Sequence, residues 1–193
     1  QIVRRVNISA DFGSFALGLH LLADDLVDCR QLILANDSVY GPFRDLAPVF
    51  AEMESRRPDI WSLTESHEDA PHLQSYFLVF ERSALRSAFF RQFWGSFRQQ
   101  ANKRRLILAN EVGLSVAARA QGLRCESWIS PDQVGSVVNP TLFHWDEIIE
   151  RLGFPFLKTE ILKINRFKSE RAQDWRRIVG AVSPHYDCEL IAG

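Results

Sequence analysis

A short apolar run that ends in three polar residues constrains the fold of this chain more than any other stretch. Residues 31–36 are rich in aliphatic side chains, and Asn36, Asp37 and Ser38 come at their end, shortly before Gly41-Pro42. A run of this length, bounded by turn-forming residues, indicates a buried strand. Open α/β sheets bind ligands at the carboxyl ends of their strands. The pattern therefore predicts that Asp37 lies at the centre of a site.

Helical and strand-like patterns alternate along the first two-thirds of the chain. They predict helices at 43–54, 82–98, 111–121, 145–152 and 172–182, and strands at 31–36, 59–64, 73–80, 125–129 and 157–164. This alternation predicts the α/β class, with a mostly parallel sheet flanked by helices on both faces. Residues 1–193 are expected to form one domain. The more irregular residues 154–193 are predicted to form a C-terminal cap or lid.

The composition excludes several classes of protein. The formal net charge of -1 gives no basis for expecting a nucleic-acid partner, which usually requires strong positive charge. Cys29, Cys125 and Cys188 are far apart, so they predict neither a zinc site nor a disulfide framework. No apolar run reaches the roughly 18 residues of a membrane span, and the start does not have the pattern of a signal peptide. We expect a cytoplasmic protein.

Asp37 has two interpretations from the residues alone. An aspartate at the end of a strand is often only a turn former or a helix cap. However, Asn36, Asp37 and Ser38 offer three oxygen donors in succession. Mg²⁺ or Mn²⁺ prefers such ligands, and Mg²⁺ typically takes one or two carboxylates together with substrate phosphates. The second interpretation predicts a divalent metal bound by Asp37.

Several segments, in the same order along the chain, carry a resemblance to a known family. They are 7–15 (NISADFGSF), 32–43 (LILANDSVYGPF), 59–66 (DIWSLTES), 72–80 (HLQSYFLVF), 90–94 (FRQFW), 111–115 (EVGLS), 139–140 (NP) and 155–158 (PFLK). Together they resemble the core motifs of the rhamnan synthesis protein F family. Those proteins are bacterial glycosyltransferases that build rhamnose-containing cell-wall and lipopolysaccharide glycans.

The resemblance implies a GT-A-like, Rossmann-like fold and a glycosyl transfer. Asn36-Asp37-Ser38 takes the place of the Asp-X-Asp element of GT-A enzymes, with Asp37 as its one carboxylate. The implied donor is a nucleotide sugar, dTDP-L-rhamnose. The implied acceptor is a growing polysaccharide or lipid-linked glycan at the cytoplasmic face of the membrane, and the implied transfer inverts the anomeric configuration.

Glu111 is the second predicted catalytic residue. It follows Ala109-Asn110 and is predicted to open the helix over 111–121, where the macrodipole favours a charged carboxylate. From the residues alone it is equally an ordinary acid of the first helical turn. The resemblance implies that Glu111 is the general base that removes the proton of the acceptor hydroxyl.

The predicted substrate-binding residues come from the same motifs. They are Asp11, Asn36, Ser38, Tyr40, Glu65, His72 and Gln74. Glu65 lies at the carboxyl end of strand 59–64, on the same edge as Asp37 if the strands are parallel. For His72, a hydrogen-bonded structural role is the alternative to a sugar contact.

The chain also departs from the family pattern. Ser9 and Ala10 stand at places where the family has Gly and Tyr, and Ser62 stands where a Gly is usual. Family members have an upstream segment with the first strands of the sheet, so this chain is expected to lack part of the N-terminal nucleotide-binding half. The alternative to an active enzyme is therefore a non-catalytic glycan-binding or assembly module, or a fragment of a larger transferase.

Residues 82–105 form a basic segment without an acidic residue. One interpretation is an ordinary solvated helix face. The other is peripheral contact with an anionic membrane surface, with Phe and Trp on the inner side and Arg on the outer side.

Overall fold

The computed structural model describes residues 2–6, 8–135, 138–165 and 169–191. Asn7 of the first motif and residues 166–168, 192 and 193 of the predicted cap lie outside these ranges. The strands are β1 (Gln31–Ala35), β2 (Val39–Tyr40), β3 (Ile60–Ser66), β4 (His72–Leu73), β5 (Phe77–Glu81), β6 (Cys125–Ile129) and β7 (Leu157–Lys158). The helices are α1 (Ala10–Leu21), α2 (Ala47–Arg56), α3 (Arg82–Arg86), α4 (Ala88–Gly95), α5 (Lys103–Leu106), α6 (Gly113–Ala120), α7 (Pro131–Val134), α8 (Pro140–Phe143), α9 (Trp145–Leu152), α10 (Thr159–Lys163) and α11 (Trp175–Val182). A π-helical turn, Ile107–Val112, joins α5 to α6, and 3₁₀ turns span Asp25–Val27, Glu170–Asp174 and Cys188–Ile191.

The central sheet is mixed, which corrects the prediction of a mostly parallel sheet. β5 lies between β1 and β3 and runs antiparallel to both, whereas β6 pairs with the other side of β3 in parallel. Only a short connection separates β3 from β4 and β5, and parallel pairing requires a crossover of a dozen or more residues. The α/β class itself is confirmed.

Strands β1, β3 and β6 nevertheless share one direction. β1 and β3 are both antiparallel to β5, and β6 is parallel to β3. Their carboxyl ends meet at one edge of the sheet, together with the amino end of the reversed β5. Polar residues that follow β1 and precede β5 are thereby brought to the same edge. Asp37 follows β1 and Glu65 lies near the carboxyl end of β3, so the two residues belong to strands of one direction, as the predicted shared edge requires.

The β4–β5 segment is interrupted where it passes this edge. On β3, Ser62 and Glu65 are three positions apart. Their pairing partners, Leu78 on β5 and Leu73 on β4, are five positions apart. The β4–β5 side therefore carries two extra residues. The bulge spans 74–76, and the Gln74 amide still donates to the Thr64 carbonyl oxygen at 3.1 Å. An insertion of this kind disrupts the ladder locally and re-aims side chains, as bulges next to binding sites do.

Two hydrophobic clusters flank the sheet. One packs Trp61 and Val79 of the sheet against α2, α9 and α11, and the other packs Leu78 and Phe80 against α1, α3, α4 and α6. Trp61, Val79 and Phe80 have no exposed surface. Burying each such side chain contributes roughly 1.5–3 kcal/mol. The predicted helices on both faces of the sheet are confirmed.

Two further predicted elements differ in the structure. The helix predicted at 82–98 is broken at Ser87, whose backbone is extended and whose Oγ accepts a hydrogen bond from the Phe90 amide at 3.2 Å. A serine in this geometry caps a new helix. The strand predicted at 157–164 lasts for two residues and becomes α10, because Leu157 and Lys158 pair only with the short β2.

The predicted single domain and the predicted cap over 154–193 stay predictions. Within the described part of that range, β7 pairs with β2, and α11 packs against α9. In the described portion of the chain, none of the helices combines the length and the apolar character that a membrane span requires.

Candidate functional site

A cleft of about 650 Å³ lies at the edge of the sheet where β1 ends and β5 begins. The first turn of α1, the 74–76 bulge, the π-helical turn and β7 supply its walls. Its polar lining includes Asp11, Asn36, Ser38, Gln74, Ser75, Glu111, Lys158 and Glu160. Five predicted site residues thus meet in one concave, polar surface, as a ligand site requires.

Glu111 is held in this cleft by the bulge. Its Oε1 accepts hydrogen bonds from the backbone amide and the hydroxyl of Ser75, each at 2.8 Å. These donors fix the orientation of the carboxylate. Among the contacts of the described residues, Oε2 of Glu111 has no hydrogen-bond partner, so it is available to a molecule bound in the cleft.

The backbone around Glu111 corrects one prediction. Glu111 does not open a helix, because α5, the π-helical turn and α6 form one continuous helical segment from Lys103 to Ala120. The macrodipole argument for Glu111 therefore does not apply. Instead, the residue lies within the π-helical turn. Such turns occur frequently at functional sites.

Lys158 is the cleft residue to which the sequence assigned no role. Burial lowers the pKa of Lys158, while Glu111, Glu160 and Asp11 act in the opposite direction. Its Nζ donates to the hydroxyl of Ser38 at 3.2 Å and lies 4.5 Å from the centre of the Tyr76 ring. The motif at 155–158 contains this lysine, but the predicted strand over 157–164 gave no reason to place it beside Asn36-Asp37-Ser38.

Asn36 and Ser38 bind each other rather than offering their oxygens as a metal set. Oδ1 of Asn36 accepts from the Ser38 amide at 3.0 Å and from its hydroxyl at 2.6 Å. Nδ2 of Asn36 donates to Oδ2 of Asp11 at 2.8 Å. A chain of hydrogen bonds therefore runs from Lys158 through Ser38 and Asn36 to Asp11. This network fixes the shape of the cleft at the end of β1.

Asp37 lies beside the cleft rather than inside it. Its exposed side chain lines a neighbouring cavity of about 660 Å³, which shares Ala10, Asp11 and Asn36 with the cleft and also includes Arg4. The described residues contain no group of three His, Cys, Asp or Glu side chains that could hold a metal ion. Asp37 and Asp11 fit the smaller requirement of Mg²⁺, which takes one or two carboxylates when substrate phosphates and waters supply the rest.

Gln74 is brought to the cleft, but a buried partner holds its side chain. Oε1 of Gln74 accepts from the Thr64 hydroxyl at 2.7 Å, and the Thr64 oxygen is also 2.7 Å from the hydroxyl oxygen of Tyr76. Gln74 and Thr64 are nearly fully buried. The side chain of Gln74 therefore supports the bulge, and its predicted contact with a sugar stays a prediction.

The remaining predicted substrate-binding residues lie outside the cleft lining. Glu65 contacts His67 at 3.0 Å and Arg119 at 3.5 Å on the side of α6. His72 is buried, and its Nδ1 donates to the Ala70 carbonyl oxygen at 2.7 Å. Tyr40 packs at the margin of the α2–α9–α11 cluster. The structure thus gives each of them a structural partner.

The buried position of Lys158 predicts how stability depends on pH. Folding lowers the pKa of Lys158 from 10.5. At a pH between the pKa in the folded protein and the pKa in the unfolded chain, the folded protein therefore binds fewer protons than the unfolded chain. The free energy of unfolding therefore rises with pH in this window. We expect the wild type to gain stability relative to Lys158→Met as the pH rises toward 10.5. Urea unfolding at several pH values measures this difference.

The exposed Lys103 provides the control for this measurement, because it also lines the cleft. Lys103→Met removes the same charge, and its stability difference from the wild type is expected to change less with pH. An equal dependence in the two variants would contradict the assignment to Lys158.

The fold and the cleft define an α/β protein with an ionisable polar site at the edge of a mixed sheet. The chain belongs to the rhamnan synthesis protein F family, whose match covers residues 1–192. The family predicted from the sequence motifs is thereby confirmed.

Two relatives show how far the likeness extends. Virulence protein VirA of Vibrio anguillarum is 26% identical over 195 residues, which cover 84% of this chain and 62% of that protein. The uncharacterized protein y4gN of Sinorhizobium fredii is 26% identical over 137 residues, which cover 69% of this chain and 36% of that protein. The chain thus spans less than two-thirds of the length of either relative. No solved structure matches it.

Proposed function

We propose that this chain is a GT-A-like glycosyltransferase domain that acts in polysaccharide synthesis. The donor is a nucleotide-activated sugar, dTDP-L-rhamnose, and the acceptor is a polysaccharide or lipid-linked glycan at the cytoplasmic face of the membrane. Membership of the rhamnan synthesis protein F family supports the polysaccharide role. The observation that carries the catalytic part is the oriented carboxylate of Glu111 in the cleft.

The proposed reaction is a direct displacement at the anomeric carbon. Oε2 of Glu111 accepts the proton of the acceptor hydroxyl while the hydroxyl oxygen forms a bond to the anomeric carbon. The bond from that carbon to the diphosphate breaks, and its electron pair leaves with the diphosphate. Because the acceptor attacks opposite the leaving group, the configuration inverts. Ser75 keeps Glu111 oriented throughout, since both of its donors bind the other carboxylate oxygen.

The leaving diphosphate is proposed to lie at the cavity beside the cleft. Asp37 and Asp11 would hold a divalent cation there, and Arg4 lines the same cavity. A bound Mg²⁺ or Mn²⁺ would supply positive charge to the diphosphate oxygens. The cavity shares Ala10, Asp11 and Asn36 with the cleft, so a diphosphate bound there would lie next to an acceptor that faces Glu111.

Donor binding tests this proposal against a non-catalytic glycan-binding module. Calorimetry with dTDP-L-rhamnose and Mn²⁺ is expected to show saturable binding that weakens when Mn²⁺ is omitted. Binding of rhamnose-containing oligosaccharides without any donor binding would favour the glycan-binding module. Donor binding that appears only in a longer chain with upstream sequence would show that this chain is a fragment of the donor site.

A further inference from the structure

A third concave surface lies along the C-terminal half of α1, whereas the cleft lies at the first turn of that helix. This groove, about 670 Å³ in volume, runs between α1 with the following 3₁₀ turn and helices α3 and α4. Its lining is largely apolar and includes Leu19, Leu26, Leu85, Phe90 and Trp94. A volume of this size suits a single small ligand or chain. The residues of the cleft and of the groove do not overlap.

The mouth of the groove combines apolar and basic side chains. Arg86 and Arg91 are exposed and line it, and Nη1 of Arg91 donates to the Arg86 carbonyl oxygen at 3.1 Å. Within the described part of the chain, neither guanidinium has an ion pair with a carboxylate. Val27, which lines the groove, exposes 66% of its surface, and Leu22 beside the groove exposes 47%. A patch of exposed apolar residues beside free cations is typical of a membrane-facing surface.

Acidic residues are present nearby, but they do not line the groove. Asp24, Asp25 and Asp28 belong to the turn that contributes Leu26 and Val27, and none of the three carboxylates is among the lining residues. The charge presented within the groove is therefore that of the two arginines, together with His20 at the end of α1.

The wall formed by Trp94 is rigid and carries an unused donor. Its ring stacks on Phe12 with a centroid distance of 5.9 Å and an interplanar angle of 23°. The indole Nε1 is buried and has no hydrogen-bond partner among the described residues. A buried donor without an acceptor is unfavourable.

We propose that this groove binds one chain of an anionic membrane lipid, independently of the proposed glycosyl transfer. The hydrocarbon chain lies on the apolar floor between α1 and α4, and the phosphate lies at Arg86 and Arg91. A sugar does not fit the apolar floor, and an uncharged chain leaves the two arginines unused. The binding places the basic segment 82–105 against the membrane surface.

Gly95 provides a way to block the groove without disturbing the fold. It lines the groove near the end of α4, and a Cβ added there meets no atom within 4 Å. Gly95→Leu is expected to weaken the binding of monododecyl phosphate at least tenfold, measured by calorimetry. The matched control is Gly18→Leu, because Gly18 also has open space around its Cβ position and does not line the groove. It is expected to bind as the wild type does.

Two double variants within the basic segment test whether the arginines of the groove contribute to binding. Arg86→Gln with Arg91→Gln is expected to weaken binding about 30-fold, at about 1 kcal/mol for each cation. Arg98→Gln with Arg105→Gln removes the same charge from exposed positions outside the groove, and little change is expected. An equal loss in both double variants would show that the groove has no special role.

Probes of different chain length, and phosphate without a chain, distinguish binding of a lipid from binding of its phosphate group alone. Monododecyl phosphate is expected to bind more tightly than monodecyl phosphate by on the order of tenfold, since each buried methylene adds to the affinity. Inorganic phosphate alone is expected to bind weakly, and co-sedimentation with vesicles should require anionic lipid. The proposal is overturned if inorganic phosphate binds as tightly as the amphiphile, or if Gly95→Leu binds as tightly as the wild type.

Discussion

Glu111→Gln is expected to lower the rate of sugar transfer by about 10²–10⁴-fold, the range for loss of a general base. The amide oxygen of Gln can still accept both hydrogen bonds from Ser75, so the cleft and the fold should be preserved. What disappears is the carboxylate oxygen that takes the proton of the acceptor. Transfer kinetics with saturating donor, together with the melting temperature of each variant, measure the effect.

Two other variants separate a base from a general need for negative charge. Glu160→Gln removes another carboxylate that lines the cleft and faces Lys158, and it is expected to reduce transfer far less. Ser75→Ala removes only the hydroxyl donor and leaves its amide, so an intermediate loss is expected. If Glu111→Gln retains the activity of the wild type, Glu111 is not the base.

Asp37→Ala is expected to lower transfer by about 10²–10³-fold, the range for removing one group that stabilises developing negative charge. Because its side chain is exposed and has no hydrogen bond to the described residues, its removal should leave the melting temperature nearly unchanged. The dependence of donor binding on Mn²⁺ should be lost as well. Calorimetry with and without Mn²⁺ measures this second effect.

Asp28→Ala is the matched control for Asp37. Asp28 is also exposed, but it lies after the 3₁₀ turn and lines neither the cleft nor the neighbouring cavity. Both transfer and the response to Mn²⁺ should stay unchanged in this variant. Donor binding by Asp37→Ala that still responds to Mn²⁺ would remove Asp37 from the metal site.

Local sequence patterns were sufficient to predict the bounds of several elements of the fold. The strand at 125–129 and the helix at 145–152 have the predicted bounds, and β1 ends one residue before the predicted end. Each of these elements has its own apolar pattern, and burial against the core follows from it. The direction of β5 and the position of β7 depend on which strands pair, and a single segment carries no information about its partners.

In the candidate site as well, local motifs supplied some of the residues, and contacts between distant segments determine the others. The motifs supplied Glu111, Asn36, Gln74 and Asp11 as site residues, and all four line one cleft in the structure, while their roles stay predictions. They did not reveal that the Ser75 amide points to Glu111, because the bulge arises only when β4 and β5 pair with β3. Lys158 was missed for a similar reason: its role depends on contacts with residues far along the chain.

The pairing of β7 with β2 has a consequence for the order in which the protein folds. Ser38 and Lys158 are 120 positions apart, and the Thr159 amide, one position further along, donates to the Ser38 carbonyl oxygen at 2.9 Å. Contacts between residues so far apart in the sequence form slowly, because a long loop must close before they can stabilise the chain. During synthesis, the Asp37 side of the site therefore exists before its lysine arrives. The wall that Lys158 contributes to the cleft is complete only when the last third of the chain has emerged and docked.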